Sequence, residues 1–209
     1  MDVKKEALRY LGYGNNEPDE ATEKLLVRAL DELKGCNSAR YCYKVLEKSA
    51  CSDILKGKDI AVHLEGCERL ILFAATLGTE ADRLIRRAEI SDMAYAVVLD
   101  AAASAFTEEY CDKTEKEINR LTGGYFTFRF GLGYGDFPIS LQKDFIRILN
   151  ADKLIGLTAN ENGILIPRKS VTAVIGISDK PLNSERERCE ICSMKETCKF
   201  RKEDKRCDS

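Results

Sequence analysis

Three glycines at alternate positions mark the part of this sequence whose residue types best suit ligand binding. They are Gly131, Gly133 and Gly135, within the segment Arg129-Phe-Gly-Leu-Gly-Tyr-Gly-Asp-Phe-Pro138. Glycine lets the backbone adopt positive φ and approach a ligand closely. Arg129 offers a planar, permanently charged fork for a carboxylate, and Tyr134 offers a ring face and a hydroxyl. We expect the loop to bind a small molecule with a carboxylate and flat rings, or else to be a plain connection between strand and helix.

A second group of residues that could carry chemistry lies in the charged segment 181–209. Its four cysteines are spaced C-x2-C-x5-C-x8-C, at Cys189, Cys192, Cys198 and Cys207. The segment has too few large apolar side chains to fold alone, and metal ligation could supply the missing free energy. All-thiolate ligation suits an iron–sulfur cluster or structural zinc. The alternative is a flexible tail with free thiols.

The remaining cysteines are scattered, and we expect them to be buried free thiols. They are Cys36, Cys42, Cys51, Cys67 and Cys111. Cys36 and Cys42 lie six residues apart and could add a metal ligand. The single histidine, His63, is expected at the surface or as a core residue with its hydrogen bonds satisfied.

The charge balance and the hydropathy of the chain argue against several classes of protein. The chain has 33 Lys and Arg against 35 Asp and Glu in 209 residues, so it lacks the broad basic field of a nucleic-acid-binding protein. No apolar run approaches the roughly 18 residues of a membrane span, and the first residues lack the apolar stretch of a signal peptide. We therefore expect a cytoplasmic protein whose cysteines are reduced or metal-bound. One His also excludes the commonest zinc-catalytic sites, which need two or three.

The elements that position these residues are predicted to be helices first and strands later. Apolar spacing predicts helices over 1–11, 18–33, 80–88, 93–120 and 140–150. Short apolar runs predict strands at 70–75, 125–130, 154–160, 164–167 and 170–178, with a turn at 161–163. The first half of the longest helix is nearly all small and apolar, which indicates burial, and its charged second half is expected to run out to the surface.

This order predicts an α+β fold with a twisted antiparallel sheet and flanking helices. We expect one domain over residues 1–180, helical in 1–122 and strand-rich in 123–180. A Cys-rich, metal-binding appendage is expected to follow at 181–209.

The second half of the chain also carries several short motifs in a fixed order. Arg129-x-x-x-Gly133-Tyr134 is followed by Gly156-Leu-Thr158 and by Pro167-Arg-Lys-Ser170-Val-Thr172. From residue 129 to about 176, the sequence resembles the activation (reactivation) domain of cobalamin (vitamin B12)-dependent methionine synthase. The helical half fits more loosely. As a whole, the chain is similar to the free-standing form of that domain, a separate activation subunit.

This resemblance implies a subunit that binds S-adenosylmethionine and supports the reductive remethylation of cob(II)alamin. The cobalamin belongs to a separate methionine synthase or related corrinoid protein, and the electron donor is flavodoxin-like or ferredoxin-like. By the same resemblance, Arg129 holds the methionine carboxylate, and the backbone near Gly131 and Gly133 faces the adenine or sulfonium. Tyr134 packs beside the ligand or the corrin. Alkyl transfer from a sulfonium needs positioning rather than acid–base chemistry, so no catalytic residue is assigned.

The long helix departs from the pattern of the family. Members place an acidic residue there in an Ala-Glu-Ala-Phe context, whereas this chain has Ser104, with Glu108 one turn later. Both are candidate ligand contacts. The later ligand-contacting Tyr of the family has no clear match, because the chain continues into its Cys-rich segment. The electron that the implied reaction needs favours an iron–sulfur cluster over zinc in that segment. The rival hypothesis is a redox or docking adaptor for a corrinoid protein, with a degenerate S-adenosylmethionine site.

Overall fold

The computed structural model of the protein describes residues 2–14 and 16–182. Its helices are α1 (Val3–Tyr10), α2 (Glu20–Lys34), α3 (Lys58–His63), α4 (Thr79–Ser91), α5 (Met93–Thr122), α6 (Gln142–Leu149) and α7 (Ala151–Ile155). Its strands are β1 (Arg40–Glu47), β2 (Arg69–Thr76), β3 (Tyr125–Phe126), β4 (Phe130–Gly131), β5 (Thr158–Ala159), β6 (Leu165–Ile166) and β7 (Ser170–Ser178). Short 3₁₀ turns lie at Lys48–Cys51 and Ile139–Leu141. Helices with antiparallel strands confirm the α+β class, while the four cysteines from Cys189 to Cys207 lie outside the described residues.

A five-stranded antiparallel sheet forms the centre of the fold. Its order is β1-β2-β7-β3, and β4 pairs with β7 as well. Strands β2 and β7 pair over eight positions, from Arg69↔Ile177 to Thr76↔Ser170. Every β2 residue from Leu70 onward is buried, as expected for a strand with a neighbour on each edge and a covering layer on each face. Strands β5 and β6 form a separate hairpin around the predicted turn.

Apolar side chains cover both faces of the sheet. Because side chains alternate along a strand, Leu70 and Leu72 point to one face and Ile71 and Phe73 to the other. The first pair packs in a cluster that includes Phe145 of α6 and residues of α7. The second pair packs against the second half of α5.

Helix α5 joins the sheet to a layer of helices. Its first half lies in a cluster with α1, α2 and α4, and Leu99 and Ala102 are fully buried there. Its second half covers the sheet through Cys111 and Ile118, which are also fully buried. The expectation that this half runs out to the surface was wrong, because only one of its faces is charged and the other packs on the strands.

Two further segments differ from the sequence prediction. Strand β1, at Arg40–Glu47, was not predicted, and it places a second strand within the half expected to be helical. Residues 154–155 belong to α7 rather than to a strand, since Asn150 adopts φ 54° and starts a new helix that Gly156 ends. None of the helices in residues 2–14 and 16–182 combines the length and apolar character needed to cross a membrane.

Candidate functional site

The glycine-rich loop is a tight turn that hydrogen-bonds to itself. The Gly133 amide donates to the Phe137 carbonyl at 2.9 Å, and the Phe137 amide donates to the Tyr134 carbonyl at 2.9 Å. Gly133 and Gly135 have φ values of 88° and 52°, a region that residues with a Cβ rarely adopt. Just before the turn, Gly131 pairs with Ala173 of β7. The loop is therefore fixed to the sheet at its start and shaped by glycine at its tip.

The same loop is tied to helix α3 by two carboxylates. Asp136 accepts hydrogen bonds from the amides of Lys58 at 2.6 Å and Asp59 at 3.0 Å, at the start of α3. In return, the Asp59 carboxylate accepts the Asp136 amide at 3.2 Å. The two amide bonds, first that from Lys58, hold the pKa of Asp136 below its ordinary value.

Arg129 lies next to the loop and reaches across to α5. Its Nη1 donates to the Glu115 carboxylate at 2.6 Å, and its Nη2 donates to Asp112 at 2.8 Å and Glu108 at 3.0 Å. The Arg129 side chain is only 15% exposed. Burial by itself would lower the pKa of Arg129, but Cys111 and the three acids hold it above its ordinary value. One guanidinium among three carboxylates leaves this cluster with a surplus of negative charge.

Ser104 lies on α5 one turn before Glu108 but contacts a different cation. Its hydroxyl accepts a hydrogen bond from Lys169 Nζ at 2.9 Å and donates to the Asp100 carbonyl at 3.1 Å. Lys169 also lies 3.0 Å from the Asp100 carboxylate, and its side chain is 11% exposed. The two predicted helix contacts thus belong to neighbouring clusters, and only Glu108 pairs directly with Arg129.

Two tyrosines present ring surface at this site. Tyr134, in the loop, is 69% exposed, and Tyr10, at the end of α1, is 44% exposed. Burial raises the pKa of Tyr10 to about 12, with smaller contributions from the charge of Glu108 and, further down, from Tyr134. Helix α1 therefore brings an aromatic ring close enough to both residues to interact electrostatically.

Several of these residues were absent from the sequence prediction, among them Tyr10, Asp112, Glu115 and Lys169. The acids could have been found, because residues 108, 112 and 115 are spaced to share one face of a helix. Tyr10 is brought in by the packing of α1 on α5, and a local sequence pattern carries no signal for it. Lys169 follows Pro167 within a motif that was noticed for its order rather than its charge.

The metal-binding prediction falls on Cys189, Cys192, Cys198 and Cys207, outside the described residues. Among residues 2–14 and 16–182, no group of three or more His, Cys, Asp and Glu side chains is arranged to hold a metal ion. Cys42, Cys51, Cys67 and Cys111 are buried free thiols, as predicted, whereas Cys36 is only partly buried.

Comparison with known proteins gives partial similarity to solved structures. No protein-family profile matches the sequence, and no curated protein sequence matches it. A crystal structure of the MetH reactivation domain bound to AdoHcy superimposes with a TM-score of 0.47 at 17% sequence identity. The similarity covers 55% of this chain and 41% of that one, so the chain spans less than half of the solved structure.

Proposed function

We propose that this protein binds S-adenosylmethionine between α5 and the glycine-rich loop. We further propose that it supports reductive remethylation of cob(II)alamin in a separate cobalamin-dependent methionine synthase. The observation that carries the proposal is the position of Arg129. This first residue of the Arg-x-x-x-Gly-Tyr motif lies between the loop and α5, mostly buried and within 3.0 Å of Glu108. We infer the class of ligand from the ordered motifs in the sequence.

The ligand would bind by exchange at Arg129. A guanidinium has five N–H donors, so the methionine carboxylate can replace one of the three acids while the others stay paired. The displaced acid, Glu108 or Asp112, is then available to accept hydrogen bonds from the ligand ammonium group. The surplus of acidic groups favours S-adenosylmethionine in particular, because that molecule carries two positive charges and one negative.

The remaining contacts would come from the loop and its surroundings. Gly133 is exposed and has no side chain to keep the adenine or sulfonium from its backbone, whereas the Tyr134 ring packs beside Gly131. The exposed ring of Tyr134 offers a flat apolar surface next to Gly131. The chain's task is to orient the sulfonium methyl group outward, and this positioning needs no proton transfer.

Cobalamin on the partner chain supplies the cobalt(I) that accepts the methyl group. A flavodoxin-like or ferredoxin-like donor provides the electron that converts cobalt(II) to cobalt(I). The electron pair of cobalt(I) forms the new bond to carbon, and the C–S pair stays on sulfur to give S-adenosylhomocysteine.

Isothermal titration calorimetry with S-adenosylmethionine tests the ligand assignment. Loss of the carboxylate pair in Arg129→Ala should cost about 2–5 kcal/mol of binding free energy. Arg129→Lys keeps the positive charge but cannot form a bidentate hydrogen bond with a carboxylate, and it should still weaken binding by at least about tenfold. Arg147→Lys is the matched control, since Arg147 is 79% exposed and pairs with Asp144 of its own helix. Absence of binding by the wild type, or equal binding by all three variants, would refute the assignment.

The client is tested separately by remethylation of cob(II)alamin. A candidate methionine synthase is incubated with reductant and S-adenosylmethionine, with and without this chain. Methylcobalamin should accumulate only when the chain is present, and Arg129→Lys should slow its formation. Equal yields with and without the chain would contradict the role in reactivation.

A second candidate function is a redox or docking adaptor for a corrinoid protein. The observation in its favour is the pairing of Arg129 with three carboxylates of its own chain, which is compatible with a site that has lost its ligand. The four cysteines from Cys189 to Cys207 would then hold an iron–sulfur cluster or zinc. Anaerobic purification separates the outcomes: a brown protein indicates a cluster, and a colourless protein with one equivalent of zinc indicates a structural metal.

A further inference from the structure

Helix α3 contacts both ends of the segment that contains Arg129 and the glycine-rich loop. At its first turn, the amides of Lys58 and Asp59 donate to Asp136, and Asp59 accepts the Asp136 amide. This is a reciprocal cap between residues 77 positions apart in the chain. At its last residue, His63 contacts Thr127.

The reciprocal cap requires glycine on both sides. A Cβ at Gly57 would lie 2.4 Å from a carboxylate oxygen of Asp136, and a Cβ at Gly135 would lie 2.0 Å from a carboxylate oxygen of Asp59. Both glycines also have positive φ, at 125° and 52°. Gly135 of the loop is thus shaped by its contact with α3, and the alternate glycines do more than make the loop flexible.

At the last residue of α3, the contact with this segment is made by packed side chains. His63 Nε2 lies 2.8 Å from the Thr127 hydroxyl, which also accepts the Gly176 amide of β7 at 2.7 Å. The His63 ring lies 4.4 Å from that of Phe128 and 4.9 Å from that of Phe130, measured between centroids. These two rings flank Arg129 in the sequence. Helix α3 therefore contacts residues before and after Arg129 in the chain, and also the end of the glycine-rich loop at Asp136.

We propose that the Asp59–Asp136 pair is the positioning element of the ligand site. It holds the glycine-rich loop in its binding conformation, and it acts on the ligand only through that loop. This inference rests on the proposed function. A loop that adopts the binding conformation for only a fraction of the time binds its ligand more weakly by that fraction. Loss of the cap should consequently lower ligand affinity without contact between either carboxylate and the ligand.

The test compares Asp59→Asn, Asp136→Asn and the double variant by calorimetry with S-adenosylmethionine. Each single variant should bind about five- to tenfold more weakly than the wild type, because Asn keeps one acceptor oxygen but loses the charge. The double variant should lose less than the sum of the two, because both carboxylates hold the same loop against α3. Asp19→Asn is the matched control, since Asp19 caps α2 through the Thr22 amide and should leave affinity unchanged. Urea unfolding of each variant should show that all remain fully folded under the conditions of the titration, which separates loop positioning from a loss of the overall fold.

Amide hydrogen exchange gives a readout that does not depend on the ligand. In the free protein, amides of residues 131–137 should exchange faster in Asp136→Asn than in the wild type, and saturating S-adenosylmethionine should slow them again. Unchanged exchange in that segment, affinity equal to that of Asp19→Asn, or additive losses in the double variant would each overturn the proposal. If the wild type fails to bind, the proposed function is refuted, and the exchange of the free protein still decides whether α3 positions the loop.

Discussion

Replacement of Arg129 by Leu should destabilise the folded protein because it leaves three neighbouring carboxylates without their common cation. Their side chains are 36%, 36% and 24% exposed for Glu108, Asp112 and Glu115. An exposed ion pair contributes about 0–1 kcal/mol, and breaking a buried one costs about 3–5 kcal/mol. This cluster lies between those limits, so we expect a loss of about 2–3 kcal/mol.

Urea unfolding at pH 7 and thermal melting both measure this loss. For a chain of this length, a loss of about 2–3 kcal/mol corresponds to a fall of about 4–12 °C in Tm. Arg147→Leu removes an exposed Arg from a single pair and should change stability by less than about 0.5 kcal/mol. Adding Glu115→Gln to Arg129→Leu should restore part of the loss, since it removes one of the repelling charges.

The pH dependence gives the sharpest test of the reasoning. The repulsion in Arg129→Leu exists only while the carboxylates are ionised, so the deficit relative to the wild type should shrink as the pH falls from 7 towards about 4. A deficit that is the same at both pH values would mean that lost packing, rather than unpaired charge, is responsible. A deficit no larger than that of Arg147→Leu would show that the three contacts contribute nothing to stability.

Two further predictions concern the core. Gly176→Ala should cost about 1–3 kcal/mol in urea unfolding, since its Cβ would lie 2.6 Å from Cys67 Sγ; Gly35→Ala, with an ordinary φ of −73°, is the control and should cost less. Burial raises the pKa of the Cys111 thiol to about 12 and that of Cys42 to about 11. Unfolded thiols ionise above about pH 9 while these stay protonated, so stability should fall from about pH 9 to 11 by up to about 1.4 kcal/mol per pH unit for each thiol. Cys111→Ala should flatten that slope, and an unchanged slope would contradict the assignment.

The elements with strong local patterns were predictable from the sequence. Strand β2 (Arg69–Thr76) is buried and apolar from Leu70 to Ala75. Helix α5 (Met93–Thr122) begins at the predicted residue, and the Asp92 carboxylate accepts the Tyr95 amide there at 3.0 Å. Strand β1 was missed because it is an edge strand whose Lys44 and Glu47 dilute the apolar alternation, and its conformation depends on pairing with β2.

The site was predictable only in part, for a related reason. Arg129, Tyr134 and the glycines are contiguous in sequence, so their types and spacing indicate a binding loop. The groups that surround this loop come from α1, α3, α5 and β7, and tertiary packing alone decides which of them meet. Their spacing on α5 predicted that Ser104 and Glu108 would contact the same ligand. In the structure, Ser104 accepts a hydrogen bond from Lys169, and Glu108 accepts one from Arg129.

Under the proposed function, Arg129 contributes to both stability and binding. The three acids hold the guanidinium against α5, which fixes the direction of its N–H donors. In the proposed site, a prearranged fork lowers the entropy lost on binding, and the ligand carboxylate exchanges with an existing partner. That exchange is favourable only if the ligand also brings positive charge for the displaced acid. A simple carboxylate carries no positive charge for the displaced acid, whereas an amino acid with a sulfonium does. In the proposed site, the surplus of acids would therefore favour that ligand over a simple carboxylate and would also hold Arg129 in place.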